Sequence, residues 1–169
     1  MKLALSAPGE PLPLASKTVM IVEKILRKVR AFARLVIGNR ADADEVVEDA
    51  LILYLSTDPD PGQAEESCSF LIQAVRRLMR TSGAPQRRGT DLEAALTPLL
   101  AMPIETREIA ALHLGAGLTV DAVARLLEIT PDEAVAGLNM ARAAIGPLAF
   151  DEAAPAADAA PDAFCPPAC

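Results

Sequence analysis

The stretch TVDAVARLLEITPDEAVAGLNMARAAIG, residues 119–146, decides the fold. Thr130, followed by a proline and then by Glu133, has the pattern of a helix N-terminus, with an N-cap, proline in the first position and a capping glutamate. Thr119 caps a shorter helix before it. Two short helices joined by residues 128–130 have the layout of a helix-turn-helix, whose second helix enters the major groove of DNA. The same spacing fits an antiparallel helix pair, so both interpretations stay open.

Two further helices are predicted immediately before this unit. Thr90 and Glu93 begin the first of them, whose apolar face consists of leucines. Pro103 lies in the first turn of the second, and Gly115 ends it. Residues 91–148 are therefore predicted to form a four-helix, helix-turn-helix domain.

The preceding half of the chain shows three longer helical patterns, which predict a helical domain over residues 17–82. Apolar side chains recur at steps of three and four over residues 17–38, which is the period of one helix face. Asp42 and Glu45 resemble a capping box that begins the second helix, and the third helix covers about residues 66–82. The apolar side chains expected to be buried include Val19, Val22, Tyr54 and Phe70.

The composition indicates an all-α protein with an aliphatic core. Of the 169 residues, 51% are apolar, but there is no Trp, one Tyr and four Phe. Alanine and leucine dominate, and strong β-forming runs are missing. No apolar stretch approaches the ~18 residues of a membrane span, and the apolar run near the start is too short for a secretory signal. We therefore expect a cytoplasmic protein with no membrane partner.

Proline, glycine and charge patterns set the predicted domain boundaries. Residues 1–16 are expected to be a flexible leader and residues 83–90 a linker. Residues 149–169, rich in alanine, proline and aspartate, are expected to be a disordered acidic tail. The fold class is thus predicted as all-α, with two small helical domains at 17–82 and 91–148.

The charge is unevenly distributed along the chain, whose formal net charge is −7. Residues 1–88 contain 13 Lys/Arg and 11 Asp/Glu, residues 89–150 contain 3 and 8, and residues 151–169 contain 0 and 4. A nucleic-acid-binding protein usually carries a basic patch. Only the first half of this chain could supply one.

Catalysis has almost no support in the sequence. One histidine, no glycine-rich phosphate loop and no recognisable nucleophile motif leave no candidate catalytic residue. The three cysteines do not form a disulfide framework. We therefore expect no enzyme activity, no metal site and no cofactor.

The order of these segments resembles a known family. Residues 31–55, AFARLVIGNRADADEVVEDALILYL, look like conserved region 2 of bacterial extracytoplasmic-function sigma factors of the sigma-70 family. Residues 69–80, SFLIQAVRRLMR, look like the later part of that region. Residues 96–145, which contain LAMPIETREI and GLTVDAVARLL, look like region 4. The match covers most of residues 18–146 in the family order, and the ordered set is more specific than any one motif.

The resemblance implies a transcription initiation factor that binds RNA polymerase core and promoter DNA. The first domain would bind the polymerase clamp and capture the −10 element as a single strand, and the second would read the −35 element as a duplex. Carried over residue by residue, the clamp-binding positions are Asp44, Glu45, Glu48 and Asp49. The positions that approach −10 DNA are Arg76, Arg77 and Arg80. The helix that would read −35 DNA carries Thr130, Glu133, Ala136, Asn139 and Arg142.

That last helix departs from the family pattern, which usually has several basic residues there. The usual basic positions fall at Val135, Gly137 and Met140, so that Arg142 alone remains basic. Phosphate contacts supply much of the affinity for DNA. An alternative hypothesis is therefore a sigma-factor mimic that has lost DNA binding and sequesters an anti-sigma factor or a similar regulator. An ordinary helix-turn-helix repressor is a more remote third possibility.

Overall fold

Six α-helices and one 3-10 helix make up the described part of the chain. The computed structural model describes residues 13–57, 63–81, 94 and 96–146. No strand occurs among them, so the predicted all-α fold class is confirmed. The elements are α1 (Pro13–Ile37), α2 (Arg40–Leu55), α3 (Ala64–Thr81), the 3-10 helix (Thr97–Ala101), α4 (Ile104–Leu114), α5 (Val120–Leu127) and α6 (Pro131–Ile145).

Parts of the predicted domain organisation fall beyond this description. The linker at 83–90 and the tail at 149–169 lie outside the described residues. So does most of the leader at 1–16, although α1 begins at Pro13 and therefore includes its last four residues.

Local capping explains where the helices begin. Asn39 caps α2, because its Oδ1 accepts hydrogen bonds from the amides of Ala41 at 3.0 Å and Asp42 at 3.1 Å. The prediction that Asp42 itself caps this helix is wrong, since Asp42 lies within α2 and is only 1% exposed. Thr119 and Thr130 cap α5 and α6, as predicted.

A shorter element stands where the first helix of the second half was predicted. Thr90 and Glu93 lie outside the described residues, and the 3-10 helix is the helical element between them and α4. Pro98 lies in its first turn and Pro103 is the N-cap of α4. Proline has no backbone N–H to donate, so it is tolerated in the first turn of a helix but not in its interior. A helix that has Pro98 in its first turn must therefore end before Pro103, which leaves room for little more than one turn.

The central element is α1, against which α2, α3 and α4 all pack. The fully buried side chains include Phe32 of α1, Ile72 of α3 and Leu112 of α4. Buried apolar residues from both halves of the chain form one continuous cluster. In this structure the two halves therefore share a core, through the contact between α1 and α4.

Two glycines allow the second half to approach α1 closely. A Cβ placed on Gly115 would lie 2.9 Å from Leu35 Cδ1 and 3.0 Å from the carbonyl carbon of Ala31. Gly38, which follows α1 with a φ of +83°, faces the side chain of Leu100 in the same way. The contact between the halves is thus a close fit of backbone against backbone and side chain.

Arg107 ties the end of α1 to the second half. Its guanidinium donates hydrogen bonds to the carbonyl oxygens of Val36 at 2.9 Å, Leu100 at 2.7 Å and Met102 at 3.0 Å. Burial lowers the pKa of Arg107, but an arginine side chain stays charged in proteins. One cation thus binds three carbonyl oxygens, one near the end of α1 and two at the end of the 3-10 helix.

Three side chains predicted to be buried are exposed instead. Val19 is 57% exposed and Val22 is 46% exposed, because no described helix covers the first turns of α1. Phe70 is 40% exposed and packs against Tyr54, with 5.5 Å between the ring centroids. Although α1 has apolar residues over much of its length, none of the described helices is long and apolar enough to cross a membrane.

Candidate functional site

The acidic residues predicted to bind the polymerase clamp lie on the outer side of α2. Asp44 is 44% exposed and forms ion pairs with Arg30 Nε of α1 at 3.6 Å and with Arg40 Nε at 3.8 Å. Exposed pairs of this kind contribute about 1 kcal/mol at most, so a partner could replace them. The other three acidic side chains are exposed: Glu45, Glu48 and Asp49.

The three arginines predicted to approach DNA point in two directions from α3. Arg76 and Arg80 face α4, where the Nη2 of each donates to Oε2 of Glu108, at 3.0 Å and 3.1 Å. Arg77 is exposed and lines a cavity together with Phe70 and Gln73. The structure therefore separates Arg77 from the two arginines that the sequence grouped with it.

Glu108 is a carboxylate in the interior of the protein. Its side chain is 1% exposed, whereas those of Arg76 and Arg80 are 14% and 53% exposed. Among the described residues its other oxygen, Oε1, has no hydrogen-bond partner. A buried carboxylate requires compensating cations, and here both cations come from the other half of the chain.

Gln73 extends this polar contact from α3 to α5. Its Nε2 donates to the carbonyl oxygen of Leu126 at 2.6 Å, and its Oε1 accepts from Arg76 Nη1 at 2.8 Å. A continuous chain of hydrogen bonds thus runs from α5, through Gln73 and Arg76, to Glu108 on α4.

Neither Glu108 nor Gln73 was identified as functional from the sequence, although one signal for Glu108 was present. Ile104 and Leu112 lie four residues before and after Glu108, so the three share one side of α4. A charged residue in the middle of an apolar stripe indicates a partner from elsewhere in the chain. No comparable signal marked Gln73, because a glutamine on an exposed helix face is ordinary.

Arg77 and Phe70 line a cavity of about 420 Å³ beside the end of α2. An exposed aromatic ring next to an arginine is the pairing on which single-strand-binding proteins stack a base and contact its phosphate. The remaining lining residues are Leu53, Ser56, Thr57, Gln73 and Ala74.

The outer face of α6 carries little positive charge. Arg142 is the only basic residue of this helix, and its first turn contains two acidic residues. Val135 and Met140 are 45% and 52% exposed, so the face is partly apolar. Three residues predicted to contact −35 DNA are exposed on it: Ala136, Asn139 and Arg142.

Thr130 and Glu133, also predicted to contact DNA, bind each other in a capping box. Glu133 Oε2 accepts from the backbone N–H of Thr130 at 2.8 Å and from its hydroxyl at 2.9 Å, and Thr130 Oγ1 accepts from the backbone N–H of Glu133 at 3.2 Å. The hydrogen bonds from the backbone and then the side chain of Thr130 lower the pKa of Glu133. Because the pKa is lowered, this cap is fully formed above the ordinary glutamate range and is lost as the pH falls through the lowered value. At neutral pH the start of α6 therefore holds a negative charge.

The described residues include one cysteine and one histidine. They include no group of three or more His, Cys, Asp or Glu side chains that could hold a metal ion. Cys68 is a buried free thiol in α3. Burial raises the pKa of Cys68, and the charge of Lys28 opposes this only in part, so the reactive thiolate is disfavoured.

The arrangement of helices is similar to that of a solved sigma factor. That protein is the sigma factor RpoE from Bartonella quintana, determined in complex with the anti-sigma factor NepR. The superposition has a TM-score of 0.58, with 16% sequence identity, and covers 80% of this chain and 96% of that chain. No protein-family model matches the sequence, and no curated protein matches it. At this level of identity the likeness establishes the fold: the chain has the all-α fold of a sigma factor.

Proposed function

We propose that the protein is a sigma-like regulator of transcription initiation that binds RNA polymerase core and promoter DNA. The observation that carries this proposal is the fold, which follows a solved sigma factor over nearly the whole length of that protein. The sequence segments that resemble regions 2 and 4 fall on α1 to α3 and on the 3-10 helix to α6, respectively. Sequence resemblance and fold therefore support the same function.

We assign polymerase binding to the outer face of α2. Glu45, Glu48 and Asp49 are exposed there, one to four residues apart on one helix. Because α2 packs against both α1 and α3, the face is presented on a rigid support. An acidic face suits a basic surface on the partner, and such complementarity favours fast and specific association.

We assign single-stranded DNA binding to the cavity that Phe70 and Arg77 line. Replacing Phe70 by alanine is expected to weaken the binding of a labelled single-stranded promoter oligonucleotide about tenfold or more, because stacking one base contributes about 1–3 kcal/mol. Fluorescence anisotropy at low salt measures this effect. Phe70 is partly exposed, so the variant is expected to fold.

A matched control is Leu55→Ala, which removes an exposed apolar side chain, 67% exposed, that does not line the cavity. We expect Leu55→Ala to bind the oligonucleotide as the unaltered protein does. Equal affinities for the unaltered protein and Phe70→Ala would contradict the assignment of the cavity.

A second candidate function, a sigma-factor mimic that sequesters an anti-sigma factor or similar regulator, is favoured by the surface of α6. Its exposed Val135 and Met140, its two acidic residues in the first turn and its single arginine suit a protein partner better than a phosphate backbone. The similar solved protein binds an anti-sigma factor. Both candidates would bind a regulator of that class, so regulator binding alone does not separate them.

Transcription with purified components separates the two candidates. A sigma-like factor added to core polymerase and a promoter template is expected to produce specific transcripts, and a mimic is not. A salt titration with duplex promoter DNA adds a second criterion. The logarithm of the binding constant falls with the logarithm of the salt concentration, with a slope of about −0.9 for each phosphate that the protein neutralises. A steep slope supports the first candidate. No DNA binding even at about 50 mM salt, where phosphate contacts are strong, supports the mimic.

A further inference from the structure

Glu108 pairs with two of the three arginines of α3. It belongs to α4, in the second half of the chain, but its Oε2 accepts from Arg76 and Arg80 in the first half. These arginines are four residues apart and therefore lie one turn apart on the same side of α3. A single carboxylate oxygen thus binds two of the three cations that α3 could offer to a phosphate backbone.

We propose that Glu108 is an intramolecular inhibitor of nucleic-acid binding by α3. The carboxylate holds Arg76 and Arg80 against α4, and single-stranded DNA gains these two arginines only by displacing Glu108. Arg77 is exposed and lines the cavity beside Phe70, so it stays accessible. Gln73, which accepts a hydrogen bond from Arg76, lines the same cavity. The identity of the partner that displaces Glu108 rests on the proposed function, whereas the pairing of the two arginines with Glu108 does not.

Several features make this contact suited to displacement. The side chain of Arg80 is 53% exposed and Gln73 is exposed, so the network reaches the protein surface. Among the described residues Glu108 Oε1 and Arg76 Nε, both buried, have no hydrogen-bond partner. Because unpaired buried polar atoms oppose burial, the closed contact is less stable than a fully satisfied one. A strand with several phosphates offers each arginine a bidentate, charge-assisted partner.

The arginines can be released without separating the two halves. The close contact of Gly115 with α1 involves Ala31 and Leu35 and does not include Glu108. The hydrogen bonds from Arg107 to Val36 and Leu100 are likewise independent of the α3 arginines. The shared core can therefore persist while Arg76 and Arg80 swing away from α4. Their release leaves Glu108, which is 1% exposed, without its two cations, so the bound strand must supply the free energy that this costs.

Arginine modification tests the closed contact on the unaltered whole chain. We expect phenylglyoxal to modify Arg76 and Arg80 several-fold more slowly than Arg77, as followed by tandem mass spectrometry of peptides from a protease that does not cleave at arginine. After brief modification of the DNA-free protein, a single-stranded oligothymidine is added and the modification is continued. We expect the DNA to replace Glu108 as the group that protects Arg76 and Arg80. Equal reactivity of all three arginines in the unaltered, DNA-free protein would overturn the proposal, and this measurement requires no variant to fold.

Glu108→Gln, compared with Glu105→Gln, tests the inhibition. Both variants remove one negative charge from α4, but Glu105 is exposed whereas Glu108 is buried. If one tenth of the unaltered molecules have released arginines, release in all molecules raises the apparent affinity for oligothymidine about tenfold. We expect this gain for Glu108→Gln alone, together with faster modification of Arg76 and Arg80.

Two outcomes distinguish failure of this inference from failure of the proposed function. Faster modification of the arginines in Glu108→Gln with no DNA binding by either protein would contradict the proposed DNA binding, and with it the inhibitory role. Unchanged affinity and unchanged arginine reactivity in a folded Glu108→Gln protein would contradict the inference alone. Core polymerase binding, measured separately, reports on the proposed function.

Discussion

Arg107→Met is expected to lower the free energy of unfolding by at least about 3 kcal/mol, because hydrogen bonds that involve a charged group contribute about 1.5–3 kcal/mol each. The guanidinium donates to three backbone carbonyls, those of Val36, Leu100 and Met102. Methionine retains most of the apolar stem, so the loss reports mainly on these bonds. Chemical denaturation followed by the helical circular dichroism signal measures the change.

Arg77→Met is the matched control for this prediction. Arg77 is an exposed arginine on α3, and surface substitutions usually change stability by no more than about 0.5 kcal/mol. Arg107→Lys, which keeps the charge but loses the planar fork, is expected to fall between the two. An Arg107→Met protein as stable as the unaltered one would contradict the role of Arg107 in joining the halves.

Gly115→Ala is expected to cost about 2 kcal/mol, since extra atoms forced into a packed interior cost about 1–3 kcal/mol. The added Cβ would meet the carbonyl oxygen of Ala111 at 2.8 Å, Leu35 Cδ1 at 2.9 Å and the carbonyl carbon of Ala31 at 3.0 Å. Gly115 has a φ of −85°, which alanine adopts without strain. The predicted loss therefore reports on the close approach of α1 together with crowding against the carbonyl of Ala111 in α4.

Gly137→Ala makes the same chemical change at a site where little loss is expected. Its Cβ would first meet Cδ1 of Ile109, at 2.6 Å, which is the flexible end of a side chain. Alanine also favours a helix interior over glycine by about 1 kcal/mol, which offsets the crowding. If Gly137→Ala lowers the midpoint of thermal unfolding more than Gly115→Ala does, that result would contradict the close contact between the two halves.

Helical periodicity and capping residues were enough to predict the fold class. The steps of three and four over residues 17–38 and the Thr130–Glu133 box correspond to α1 and to the start of α6. The sequence pattern predicts Asp42 as the N-cap of α2, but the oxygen that caps this helix belongs to Asn39, three residues earlier. Val19 follows the apolar period but is exposed, because periodicity indicates which side of a helix is apolar and not whether another helix covers it.

The candidate site was less predictable because it depends on contacts between distant parts of the chain. The sequence grouped Arg76 and Arg80 with Arg77 as a basic face, but only the packing of α4 on the bundle reveals that two of them contact Glu108. That pairing joins residues 28 and 32 positions apart. No local pattern specifies such a contact, whereas the exposure of Glu45 follows from its place on the polar side of α2.

The binding of RNA polymerase core tests the central claim most directly. Purified core is titrated into the labelled whole chain and binding is followed by fluorescence anisotropy. We expect saturable binding that the Glu45→Lys/Glu48→Lys double variant weakens at least about tenfold, because coupling energies for close charge pairs across an interface reach about 1.5 kcal/mol or more. The Glu105→Lys control, a charge reversal at an exposed site on α4, is expected to bind normally. Absence of core binding by the unaltered, folded protein would contradict the account.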